Sequence, residues 1–165
     1  MITKPNARSA VWWSLAAAWA AVIFFFSAQD AASSAALSNA VTEFLLTIFR
    51  FDVSASAPAP NFSWGDLIRS LAHFACFAVL GVLTSLAVRS HRPIERRCVW
   101  IPFAICFGYA VADEIHQRFV PGRSMQLVDI LVDSLGAALG ILAVTLIALL
   151  VHQQKKKNHS VSGSF

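Results

Sequence analysis

Nine side chains able to bind a ligand or move a proton stand near the ends of apolar stretches in this sequence: Arg69, His73, Asp113, Glu114, His116, Gln117, Arg123, Asp129 and Asp133. Their spacing is helical. Arg69 and His73 are four apart, Asp113 precedes His116 and Gln117 by three and four, and Asp129 and Asp133 are four apart. Each set therefore shares one helix face, with Glu114 adjacent to the second. A histidine with two or more carboxylates is a donor set for a divalent metal. It is equally a general acid–base pair, and Arg69, Arg123 and the nearby Arg118 can clamp a phosphate or carboxylate. No H-E-x-x-H, phosphate-loop or nucleophile-elbow pattern decides among these chemistries. Three arginines against four carboxylates leave the sign of the ligand open. The plain structural alternative pairs Arg69 with Asp113 and His73 with Asp129 as contacts between helices. So many ionisable groups at one level exceed what that role needs, and the cluster is read as a site.

The elements that carry these residues are dictated by the solvent. Of 165 residues, 57% are apolar and 13% charged, and the mean hydropathy is +0.62. A soluble domain of this size leaves a sizeable part of its surface to water, so the bilayer must be the solvent. Four apolar runs, at residues 10–26, 67–88, 98–117 and 127–151, have the length to cross a hydrocarbon core of ~30 Å. The first has the charged start of a secretory signal. At ~17 residues it exceeds the roughly 7–15 of a signal core and carries Trp12, Trp13 and Trp19, so a retained span is expected.

Between the first two spans, Leu37, Val41, Phe44, Leu45, Ile48 and Phe49 recur at helical spacing, with Ser38, Asn39, Thr42 and Glu43 among them. This predicts an amphipathic helix over 33–50, at the interface or packed on the bundle, followed by a loop over 52–63 with Pro58 and Pro60. The expected fold is all-α: an integral membrane bundle of four transmembrane helices plus an amphipathic interfacial helix after the first. Residues 1–9 form the N-terminus, 10–151 the membrane domain and 152–165 a basic tail, expected to be disordered. Gly136 and Gly140 make a G-x-x-x-G pair that lets another helix approach closely, here within the bundle. Cys76, Cys98 and Cys106 lie in or beside apolar runs without C-x-x-C spacing and read as small hydrophobes.

Basic residues sit at segment ends and not on one amphipathic face, so the net charge of +4 reads as a topology signal and argues against nucleic acid as a partner. Lys4 and Arg8, the four arginines of 89–97, and Lys155, Lys156 and Lys157 alternate with two connections poorer in excess basic charge. Both termini and the middle loop are therefore expected in the cytoplasm, and the 27–66 and 113–126 connections outside. Depth follows from a rise of 1.5 Å per residue. His73 is 16 residues before Arg89, and Asp113 is 16 after Arg97, or ~24 Å each; Asp133 is 22 before Lys155, or ~33 Å. All three fall near the outer boundary of the apolar layer. An ionisable group inserted into the membrane costs roughly 2.5–3.5 kcal/mol, so these should turn inward and pair.

Three stretches resemble the VanZ-like family: FFFSAQDAASSAALSNAV at 24–41, RSLAHFACFAVLG at 69–81 and, most specifically, DEIHQRFVPGRSMQLVDILVDSLGAALG at 113–140. The family pattern has a basic residue and A-H-F in the second span, D-E-x-x-Q with an arginine after the turn, and an aspartate leading a glycine-containing helix. The resemblance places these at Arg69, His73, Asp113, Glu114, Gln117, Arg123, Asp129 and Gly136, with Asp133 four residues after the aspartate. Where some members have a tyrosine after A-H-F this chain has Phe77, which removes a hydroxyl. The resemblance implies a cell-envelope protein of the bacterial cytoplasmic (inner) membrane, and for the founding member a link to teicoplanin-type glycopeptide resistance. It supplies no mechanism and no cofactor.

Three function classes follow. The first is a non-catalytic binding or antibiotic-tolerance factor with an outward-facing polar pocket, its partners the lipid bilayer and a lipid-linked envelope molecule. The second is a membrane enzyme acting on a lipid-linked precursor. The third is a small transport or scaffold subunit whose cluster is structural. The charge asymmetry generates a test that needs no ligand: reporter fusions at residue 60 and at the C-terminus should report opposite sides of the membrane. The same side for both would overturn the topology and the depth reckoning built on it.

Overall fold

The computed structural model describes residues 7–49, 63–90 and 96–162. Most of the expected 52–63 loop and the centre of the 89–97 loop lie outside the described residues. Five helices follow one another among the described residues: α1 (Ala7–Ser27), α2 (Ala31–Phe49), α3 (Trp64–Arg89), α4 (Arg97–Gln117) and α5 (Leu127–Ser162). All but α2 are long and apolar enough to cross a membrane. The chain is an all-α integral membrane protein.

Its outer faces carry Leu15, Phe25, Trp100, Leu131, Leu135 and Ile147 exposed, the pattern of a bundle solvated by lipid. Lipid tails are as apolar as leucine, so burial against a neighbour gains little, and close packing with hydrogen bonds must hold the helices together. α3 and α5 run parallel with backbones in contact. A Cβ on Gly136 would overlap the Phe74 carbonyl oxygen, one on Gly140 that of Ala78, and one on Gly81 that of Ala137. α1 and α4 close around this pair. The Trp19 indole N–H donates to the Cys76 carbonyl at 2.9 Å, and the Tyr109 hydroxyl donates to the Ala20 carbonyl at 2.6 Å. At the opposite end of the bundle Arg89 donates to the Thr145 hydroxyl at 2.7 Å.

α2 packs with its polar side inward. Ser34, Ser38 and Thr42 are buried, whereas Leu37, Val41, Phe44 and Ile48 are exposed. The Ser38 and Thr42 hydroxyls donate to carbonyls one turn back, at 2.9 and 2.7 Å, which satisfies them and leaves a small, smooth face to lie against α3. The apolar stripe read from the sequence thus faces outward.

The tail needs correction. α5 continues without a break through the lysines to Ser162, so residues 152–162 are helical where disorder was expected. Gln153, Gln154 and the lysines are good helix formers, and cations near a helix C-terminus meet the negative end of its dipole.

The glycine contact gives a paired prediction. Gly140→Ala should lower thermal stability in detergent by about 1–3 kcal/mol, because its methyl meets backbone that cannot rotate away. Gly108 has open space around its Cβ position, and Gly108→Ala should raise stability by roughly 0.5–1 kcal/mol. Equal effects from the two would show that the helices can part without cost.

Candidate functional site

α1 and α4 end, and α3 and α5 begin, at the same end of the bundle, and their polar side chains meet there. Asp133, in the second turn of α5, is completely buried. Its Oδ2 lies 3.6 Å from His73 Nδ1 on α3. Asp113 on α4 is also buried, and its Oδ2 accepts from the Ser27 hydroxyl at 2.8 Å and the Gln117 amide at 3.1 Å. One donor atom from each of His73, Asp113 and Asp133 lies within 4.8 Å of the other two. The α3–α5 contact explains the pairing. With Phe74 against Gly136, His73 comes level with Asp133, one turn deeper than Asp129. The expected His73–Asp129 pair is therefore replaced by His73–Asp133.

The short loop after α4 is tied down over this cluster. Glu114 is fully buried, and its Oε2 accepts the Gln126 backbone N–H at 2.9 Å. Gly122 turns the chain with φ of +75°, a left-handed conformation that favours glycine. The Ala31 N–H donates to the Pro121 carbonyl at 3.2 Å, and Arg123 Nη2 donates to the Ser34 hydroxyl at 2.6 Å, which joins the loop to α2. Asp30 starts α2 by accepting the Ser33 N–H at 2.7 Å, a bond that holds its exposed carboxyl below the usual range. Burial, then the neighbouring Arg69, pushes the Arg123 guanidinium down from its ordinary value, and Asp113, Glu114 and Asp129 push it back up. A group of such basicity keeps its charge.

The nine residues named from the sequence do not all converge. His73, Asp113, Gln117 and Asp133 form the inner cluster, and Asp129 and Arg123 line a small void beside it. Arg69 also borders that void but pairs at 2.9 Å with the exposed Asp66 on its own helix, not with Asp113. His116 faces α1, its ring 4.5 Å from that of Phe24. At ~100° per residue, Asp113, Gln117 and Glu114 fall at about 0°, 40° and 100°, leaving His116 at the edge of the face they share. Glu114, which from sequence stands beside the polar face, is central and locks the loop. Arg118 is exposed. Ser27 and Ser34 went unread because a single serine beside an apolar run carries no periodic signal.

Several buried oxygens here have no hydrogen-bond partner: both of Asp133, Oδ1 of Asp113 and Oε1 of Glu114. A carboxylate kept in that condition is available to a proton, a cation or a polar ligand. Next to the cluster, between α1, α2 and α3, an apolar cleft of about 260 Å³ is lined by Ile23, Phe26, Leu37, Ala72 and Cys76 and ends at His73 and Arg123.

The VanZ/LLP1 family model matches residues 12–149 of the chain, which takes in α2, α3 and α4, most of α1 and α5, and the whole cluster. No curated protein and no solved structure matches.

The loop geometry predicts different outcomes for two changes at one position. Glu114→Ala leaves the Gln126 N–H without its acceptor and should lower stability in detergent by about 1–3 kcal/mol. Glu114→Gln keeps an acceptor oxygen and should stay within about 1 kcal/mol of the parent. Thermal denaturation decides; equal losses would mean that charge, and not the hydrogen bond, holds the loop.

Proposed function

The chain belongs to the VanZ/LLP1 family, and from that membership we propose that it binds a lipid-linked envelope molecule in the outer leaflet of a bacterial cytoplasmic membrane. The observation that carries this reading is the continuity of the apolar cleft with the polar cluster. His73 and Arg123 belong to both: they close the cleft lined by Ile23, Phe26 and Leu37, and they border the void beside Asp129 and Asp133. An amphiphile fits such a shape, its chain against the apolar walls and its polar end at the ionisable groups. The cleft is smaller than the roughly 300–1,000 Å³ that encloses a drug-sized ligand, so part of the molecule stays in the bilayer. Arg123 is a partly buried cation fixed by Ser34, suited to a phosphate or carboxylate headgroup.

The orientation is part of the proposal. Arg8, Arg89, Arg96, Arg97 and the three lysines lie at the helix ends opposite the cluster, which supports a cytoplasmic basic end and an outward-facing site. Binding a cell-wall precursor there would account for tolerance of teicoplanin-type glycopeptides. A catalytic reading is favoured by one observation, the buried Asp133 beside His73 with both carboxylate oxygens unpartnered, which is the arrangement of a general acid–base pair.

Lipids extracted from the purified protein and identified by mass spectrometry test the proposal. One lipid-linked class should be enriched over the bulk membrane. Ala72→Phe, which fills the cleft, and Arg123→Ala, which removes a charge-assisted hydrogen bond, should each lower that enrichment by about tenfold or more at normal membrane abundance. A bound-lipid profile equal to the bulk, unchanged in both variants, would defeat it.

A further inference from the structure

We infer that His73, Asp113 and Asp133 form a binding site for a single divalent cation of the zinc or manganese type. The inference is independent of the lipid reading, since an ion can be titrated with the cleft empty.

Three observations converge on it. First, the donors come from three helices. One donor atom from each of the three lies within 4.8 Å of the other two, and His73 Nδ1 is 3.6 Å from Asp133 Oδ2. Two ligands of one ion at ~2.0–2.2 Å are at most ~4.4 Å apart, so small side-chain rotations close the set. Second, Asp133 is fully buried with neither oxygen hydrogen-bonded, and Asp113 is buried with Oδ1 unpartnered. Desolvating a carboxylate without a partner is strongly unfavourable, and a cation satisfies several such oxygens at once. No guanidinium takes that place: Arg69 is paired with Asp66, and Arg123 donates to Ser34. Third, a void of about 10 Å³, the scale of one water or ion, adjoins two of the three ligands, His73 and Asp133, with Gln117, Asp129, Arg69 and Arg123 also on its wall.

Charge agrees. Asp113, Glu114, Asp129 and Asp133 outnumber the arginines that border the cluster, Arg69 and Arg123, while Arg118 is exposed, so the balance of charge there favours a cation over an anion. A single imidazole with two carboxylates suits zinc or manganese, whereas calcium and magnesium prefer oxygen alone. The hydrogen bonds from Ser27 and Gln117 to Asp113 Oδ2 orient that carboxylate and leave Oδ1 for the ion, the usual arrangement around a ligating carboxylate. Three protein ligands leave a coordination position for water or another ligand. His73 borders the apolar cleft as well, so a headgroup held there would end beside the ion.

The experiment uses the full chain in detergent, without a polyhistidine tag, stripped with chelator and titrated with Zn²⁺, Mn²⁺ and Ca²⁺. The result expected is one equivalent of Zn²⁺ per chain, bound more tightly than Mn²⁺, with a rise in melting temperature on binding. Asp133→Asn and His73→Gln should each weaken Zn²⁺ by more than the roughly 10–100-fold that loss of a supporting partner costs. Glu43→Gln and His152→Ala, both exposed and outside the cluster, should leave it unchanged. The melting temperature of each metal-free variant shows that it is folded; Asp133→Asn removes a buried charge at constant shape and should fold at least as well as the parent. Failure of the parent chain to bind any of the ions stoichiometrically would overturn the inference. So would Zn²⁺ binding that survives in folded Asp133→Asn, or is lost in His152→Ala, or a preference for Ca²⁺.

Discussion

The backbone contact between α3 and α5 is the constraint on which the rest depends. In a lipid solvent two apolar helices gain almost nothing by hiding side chains from their surroundings, so association requires atoms to come closer than lipid tails can. Gly81, Gly136 and Gly140 allow that, and in doing so they fix the axial offset of the two helices as well as their separation. The offset brings His73 level with Asp133 immediately beyond the contact. A slip of one turn would match His73 with Asp129 at the rim and leave Asp133 facing no base. The chemistry of the site is thus decided by residues that have no side chains.

Beside that pair the remaining helices hydrogen-bond the neighbouring carboxylate of Asp113 and close the end of the bundle. α1 contributes a hydroxyl through Ser27, α4 an amide through Gln117, and the loop after α4 is held across the end of the bundle by Glu114. The loop also binds α2, through Ala31 and Ser34. A helix that is not among the four candidate spans is in this way fixed to the bundle, and its small hydroxyl face completes the cleft wall. Removing one of these contacts would be felt at the others, because Arg123, Gln126 and Pro121 belong to one short segment.

Much of this was legible in the sequence, and the illegible part has a physical reason. Charged residues inside apolar runs stand out, so counting residues from the basic ends put His73, Asp113 and Asp133 all near the outer boundary of the apolar layer, and the same positions carried the family resemblance. The four spans were legible from length and hydropathy, because no soluble fold accounts for such runs. Pairing was not legible. Depth is good to about a turn, and the choice between Asp129 and Asp133 is a choice of one turn, settled by the glycine contact. The place of Glu114 and the turning away of His116 depend on where the centre of the α4 face lies, which spacing gives only to within about one residue. For α2 the period revealed a stripe without saying which side faces in, and in lipid the familiar assumption reverses. The helical continuation past residue 151 was missed because polarity was read as disorder, although lysine and glutamine are strong helix formers.

The length of α5 has a bearing on the membrane itself. α1 and α4 have 21 residues each, or ~31 Å, close to the hydrocarbon thickness of an average bilayer, whereas the 36 residues of α5 reach ~54 Å. The lysines near one end of α5 have to stay hydrated, and the carboxylates at the other end resist being drawn further into the hydrocarbon, so the bundle cannot slide along its axis to follow a change in thickness. Hydrophobic mismatch is then met by tilt or by local deformation of the lipid, at a cost of fractions of a kcal/mol per Å. Either response changes the height of the cleft mouth relative to the headgroups. On the proposed reading, in which the ligand enters from the bilayer, the thickness of the surrounding membrane would then set access to the cleft without altering a single contact within the protein.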